Sequence, residues 1–62
     1  MNKTYIVTIH SGAYFFTRRV HIEDSTRDDV EKITNYFTYL CWNIGKIIED
    51  DDRQVDGQAI FL

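Results

Sequence analysis

The chain has 62 residues, 44% hydrophobic and 27% charged, with a formal net charge of −3 and no proline. That size allows one domain with a small core, and the composition excludes disorder, a membrane span and broad, sequence-independent phosphate binding. A single cysteine, Cys41, excludes an internal disulfide and no Cys/His cluster suggests zinc, so association with another chain is the expected supplement to the core.

After Met1-Asn2-Lys3 the apolar residues alternate with polar ones and form no signal-peptide core. A cytoplasmic location is expected, with Cys41 reduced. Thr4 to Ile9 alternates as a half-buried strand does. Tyr14 to Ile22 does the same after Ser11-Gly12, where Gly12 can supply the positive φ of a tight hairpin. With Ser11-Gly12 as a two-residue loop, His10 faces Ala13, Ile9 faces Tyr14 and Val7 faces Phe16. Tyr5, Val7, Ile9, Phe16 and Val20 then share one face, and Ile6, Thr8, Phe15, Thr17 and Arg19 share the other.

Glu23-Asp24-Ser25-Thr26 breaks the alternation. Ser25 is the predicted N-cap of a helix, with Asp28 and Asp29 in a first turn that favours negative charge. Val30, Ile33, Phe37, Leu40, Ile44 and Ile47 recur at three- and four-residue spacing and form one core-facing seam, with Phe37 and Leu40 predicted in the core. Tyr39 and Trp42 fall on the opposite side, among Asn35, Thr38 and Lys46. The seam through Ile44 and Ile47 favours one long helix. Gly45 as a C′ residue, with the carboxylates that follow, favours a stop near Gly45 and an extended Lys46-Ile47-Ile48, and this second reading is adopted. Asp56-Gly57 predicts a hairpin loop, and Ala59 to Leu62 a last strand or a docking tail. The expected fold is α+β in a single domain over 1–62. It comprises an N-terminal antiparallel hairpin, one amphipathic helix packed on it, and one or two short C-terminal strands.

Catalysis needs a constellation of positioned groups, and His10 and His21 have neither a nucleophile motif nor a glycine-rich loop beside them. Asp50, Asp52 and Asp56 with Gly57 depart from the EF-hand spacing. No enzyme activity, metal or cofactor is therefore expected. Lys3, His10, Arg19 and His21 around Phe15 on the outer hairpin face suit single-stranded nucleic acid, the alternative function.

The strongest signal is Tyr39 with Trp42, residue types that dominate interface hot spots. So short a chain cannot wrap a core around both sides of one helix, so one apolar stripe is expected to meet another molecule. The acidic run Glu49, Asp50, Asp51 and Asp52, expected beside the helix end that presents Trp42, can imitate a phosphate backbone and steer a basic partner. The expected contact surface is Tyr39, Trp42, Asn35, Lys46, Phe15 and that acidic run. The expected function is a non-enzymatic protein-binding module, homodimeric and directed at a host protein. In size, charge and plan the chain resembles the small accessory proteins of bacteriophages and mobile elements. That likeness of type, carried by no motif, implies inhibition of a host enzyme or nucleic-acid-binding protein.

Overall fold

The computed structural model describes all 62 residues. Five elements follow one another: β1 (Lys3–Ser11), β2 (Tyr14–Ile22), α1 (Asp29–Tyr39), β3 (Asn43–Glu49) and β4 (Ile60–Phe61). The strands form one mixed sheet in the order β3-β1-β2-β4, with β4 parallel to β2 and the other pairs antiparallel. The fold is α+β, as expected.

The hairpin register differs from the expected one by two residues. Ser11 pairs with Tyr14, so Gly12-Ala13 is the loop, and Ile9 faces Phe16 while Val7 faces Arg18. Gly12 has φ +60 and Ala13 does not have positive φ, the pattern of a type II′ turn with glycine first. A slip of two leaves every side chain on its face, so Tyr5, Val7, Ile9, Val20 and Ile22 are buried together against Ile33 and Phe37 of α1. Lys3 is the exception to the expected faces. It pairs with Ile22, which puts it on the face of Tyr5 and not with the outer cations.

The helix is shorter than its periodicity implied. Cys41 adopts φ +67, the Cys41 N–H donates to the Thr38 carbonyl and the Trp42 N–H to the Phe37 carbonyl. That is a Schellman stop with cysteine at the position glycine usually fills. Gly45 instead lies inside β3, where the pairing with β1 shifts between Thr8 and Ile9. This bulge explains the false seam. Ile44 and Ile47, three apart, would face opposite ways in a regular strand. The extra residue turns both onto the helix side, where both pack on the core. Val30 and Leu40, also assigned to the seam, are exposed by 55% and 46%. Leu40 is therefore not a core residue.

Ser25 does not cap the helix either, since its hydroxyl donates to the Asp29 carboxylate instead of accepting a backbone N–H. Asp28 occupies the N-cap position and makes no side-chain cap, and Thr26 braces the turn just before it. The Thr26 Oγ1 accepts the Asp28 N–H at 3.1 Å and the Thr26 N–H donates to Asp29 Oδ1 at 2.8 Å, a local side-chain-to-backbone turn that leads into the helix.

The expected Asp56-Gly57 hairpin is absent. Residues 50–59 run from β3 at one edge of the sheet to β4 at the other, along the face opposite α1. Asp56 anchors them: its carboxylate accepts the Thr17 N–H at 2.8 Å and the Thr17 hydroxyl at 3.1 Å, and its N–H donates to the Thr17 carbonyl. Arg19 anchors them again through Asp50 and the Arg53 carbonyl. Ile6, on that face, is only 1% exposed although it lies outside the helix-side cluster. Removing the anchor tests this arrangement. Asp56→Ala is expected to speed hydrogen exchange at the Thr17 and Asp56 amides and leave the α1 amides unchanged. Unaltered exchange at Thr17 would show that Asp56 does not hold the segment.

Candidate protein-binding surface

The topology gives the sheet two unlike ends. The β1–β2 turn, the end of α1 and the start of β3 meet at one of them, because Asn43 pairs with His10 and Trp42 packs edge-on against Phe16 at 5.5 Å. The start of β1, the end of β2, the start of α1 and the end of β3 meet at the other.

At the turn end, apolar groups stay in solvent. Tyr14 is 71% exposed, Phe15 62% and Tyr39 87%, with Leu40 beside Tyr39 at the close of α1. Phe15 stacks on His10 at 5.2 Å, and the Arg18 guanidinium lies 5.7 Å from the Phe16 ring centre. Asn35 is exposed one helical turn before Tyr39 and shares its side of α1. Lys46 is exposed on the outer side of β3, in the same row as Thr8 and Thr17. Trp42 departs from its expected position on the helix. It follows the helix stop and is half-buried on the core beside Phe16.

Carboxylates concentrate at the opposite end. Nine of the ten acidic residues lie in 23–31 and 49–52, and the tenth is Asp56, tied to Thr17. Segments 8–18 and 36–46, which build the turn end, contain none. The run Glu49 to Asp52 therefore does not sit beside Trp42. The seven residues of β3 separate them by roughly 20 Å.

Most of that run is engaged within the chain. Glu49 pairs with Lys3 at 2.9 Å, Asp50 with Arg19 at 3.2 Å and Asp51 with Arg53 at 2.6 Å. The Asp52 N–H and then Arg19 lower the Asp50 pKa, and Arg53 pulls that of Asp51 down to about 2. Asp52 turns the chain at φ +63. Arg19, engaged by Asp50, is likewise withdrawn from the outer hairpin face that suggested nucleic acid.

Two further places carry titratable groups. A cleft of about 240 Å³ at the acidic end is lined by Lys3, Thr4, His21, Glu23, Phe61 and Leu62 among others. Its His21 Nδ1 lies 2.9 Å from the Thr4 hydroxyl and the ring stacks on Phe61 at 4.7 Å, so imidazole and phenyl hold each other. The other place is Asp29, buried at the start of α1. Its Oδ2 accepts the Tyr5 phenol at 2.6 Å and the Ser25 hydroxyl, and these donors hold its pKa down to about 2. Burial and the adjacent carboxylate raise the Tyr5 phenol, which stays a donor. The sequence reading missed this cluster. A tyrosine on the core side of a strand and an aspartate at a helix start were its only signals.

No protein-family model, curated protein or solved structure matches the chain.

Proposed function

We propose that this chain is a non-enzymatic protein-binding module that engages its partner through the turn end. One observation carries the reading: Tyr14, Phe15, Tyr39 and Leu40 are left in solvent on different sides of the turn end, whose segments 8–18 and 36–46 contain no acidic residue of their own. Isolated exposed apolar residues are ordinary on a surface, but a group of this kind on a small chain marks a contact. Tyrosine and phenylalanine bring large, rigid areas at low entropic cost, and Trp42 packs edge-on against Phe16 on the helix side of the same end. Occlusion of a host enzyme or nucleic-acid-binding protein is the role that a small scaffold with one sticky end serves best, in the manner of phage-type inhibitors. The acidic pole then acts at long range, orienting the approach to a charged target.

Tyr39→Ser and Phe15→Ser variants test the reading, since both side chains are exposed and their loss leaves the core intact. Affinity capture from cell lysate with quantitative mass spectrometry is expected to retain a defined set of proteins on the wild type and lose it on both variants. Equal capture by all three would place the contact elsewhere. Retained nucleic acid that elutes steeply with salt would favour the nucleic-acid reading instead.

A further inference from the structure

We infer that two copies of this chain pair edge to edge through β3, antiparallel and with a two-fold axis at Ile48, so that their two sheets join into one.

The edge is open. β3 ends the sheet, its one neighbour is β1, and no hydrogen bond from another segment reaches its far side. The ladder fixes which groups it offers. The Asp50 N–H donates to the Thr4 carbonyl, and backbone groups alternate in direction along a strand, so Lys46, Ile48 and Asp50 turn theirs toward β1. The N–H and C=O groups of Ile47 and Glu49 point the other way and have no partner in the chain. Such a row of alternating donors and acceptors is complementary to another extended strand.

The limits of the row select that strand. Regular pairing on β3 runs only from Lys46 to Asp50. The bulge interrupts it before Lys46, and after Asp50 the chain turns back across its own sheet toward Arg19 and Thr17, away from the edge. Ile48 is the midpoint of the stretch, so a second copy covers all of it in a single register. Ile48 then meets Ile48, and Ile47 exchanges both backbone bonds with Glu49 of the second copy.

Charge selects the same register, because Lys46 faces Asp50 of the second copy, and the reverse pair follows by symmetry. Lys46 has no carboxylate partner in its own chain. Asp50 receives Arg19 and the Asp52 N–H on Oδ1 alone, which leaves Oδ2 for a cation. A two-fold at Lys46 would set lysine against lysine, one at Glu49 carboxylate against carboxylate, and one at Ile47 would leave Lys46 facing Ile48. A lysine on an edge strand guards against stray pairing. Here it is matched by a strand with a carboxylate at the opposing position, which the second copy supplies.

Sedimentation velocity and amide hydrogen exchange over a concentration series reaching the millimolar range test the pairing. The wild type is expected to move from 7.4 kDa toward twice that mass. Exchange at the Ile47 and Glu49 amides is expected to slow as concentration rises, while the Ile48 amide, already bonded to β1, is slow throughout. Lys46→Glu sets a carboxylate opposite Asp50 and is expected to weaken the dimer about tenfold. Glu49→Pro removes an outward N–H, spares the ladder to β1 and is expected to abolish the dimer. Tyr39→Ser, at the turn end, is expected to dimerise as the wild type does. Should Glu49→Pro fail to fold, Lys46→Glu and the two amides still decide. A wild type that stays monomeric overturns the proposal. So does a dimer that Lys46→Glu leaves intact, or one that Tyr39→Ser abolishes.

Discussion

Phe37→Ala is expected to unfold the protein or nearly so, while Leu40→Ala leaves its melting curve almost unchanged. Both positions sit on the same apolar spacing, but Phe37 is 1% exposed inside the cluster of Tyr5, Val7, Ile9, Val20, Ile22 and Ile33, and Leu40 faces solvent. Truncating a buried phenylalanine costs about 3–5 kcal/mol through lost transfer energy and the cavity left behind. A fold of this size has only about 3–5 kcal/mol in reserve, so the variant lies at or beyond the edge of stability. Removing a side chain as exposed as Leu40 costs about 0.5 kcal/mol. Urea titration followed by circular dichroism separates the two. Equal losses would show that α1 packs through a different face.

The second large effect concerns the tie between Asp29 and Tyr5, and it depends on pH. The Ser25 hydroxyl and the Tyr5 phenol stabilise the charged carboxylate in the folded state and bring its pKa from 3.8 down to about 2. Unfolded chains therefore bind the proton first as pH falls. The stabilisation is fully present above about pH 4, declines between about 4 and 2, and is gone below. Tyr5→Phe keeps the ring in the core and deletes one donor. It should melt below wild type at pH 7, with a gap that narrows steadily as the pH falls toward 2. Asp29→Asn should flatten the acid limb in the same range, and an Asp51→Asn control accounts for the exposed carboxylate with a similar pKa. A gap between Tyr5→Phe and wild type that stays constant from pH 7 to 2 would assign the loss to packing alone.

The hairpin was legible in the sequence because its information is redundant. Tyr5, Val7, Ile9, Val20 and Ile22 alternate over two strands, and parity survives an error of two residues in the turn. The candidate surface was legible only in part. Tyr39 and Phe15 are exposed, Tyr39 on α1 away from the buried Ile33 and Phe37 and Phe15 on the sheet face opposite that helix. Trp42 could not be placed, because its position depends on where the helix stops.

The sequence by itself determined the strand faces, the inner core of the helix at Ile33 and Phe37, and the α+β class, all of which follow from short-range periodicity. Only the tertiary structure decided the rest. A left-handed Cys41 ends the helix, and its conformation is sustained by two backbone hydrogen bonds and the packing of Trp42. The bulge at Gly45 gives a strand the three-residue spacing of a helix, and only pairing with β1 distinguishes the two. Residues 50–59 take their path from Thr17 and Arg19, more than thirty positions away, and not from the local turn propensity of Asp56-Gly57. Antiparallel pairing of β3 with β1, which sets Glu49 opposite Tyr5 and Asp50 on Thr4, carries the acidic run to the end of the sheet away from the β1–β2 turn. Side-chain contacts between distant segments outweigh turn and cap preferences that are each about 1 kcal/mol or less, and those contacts exist only once the sheet has formed.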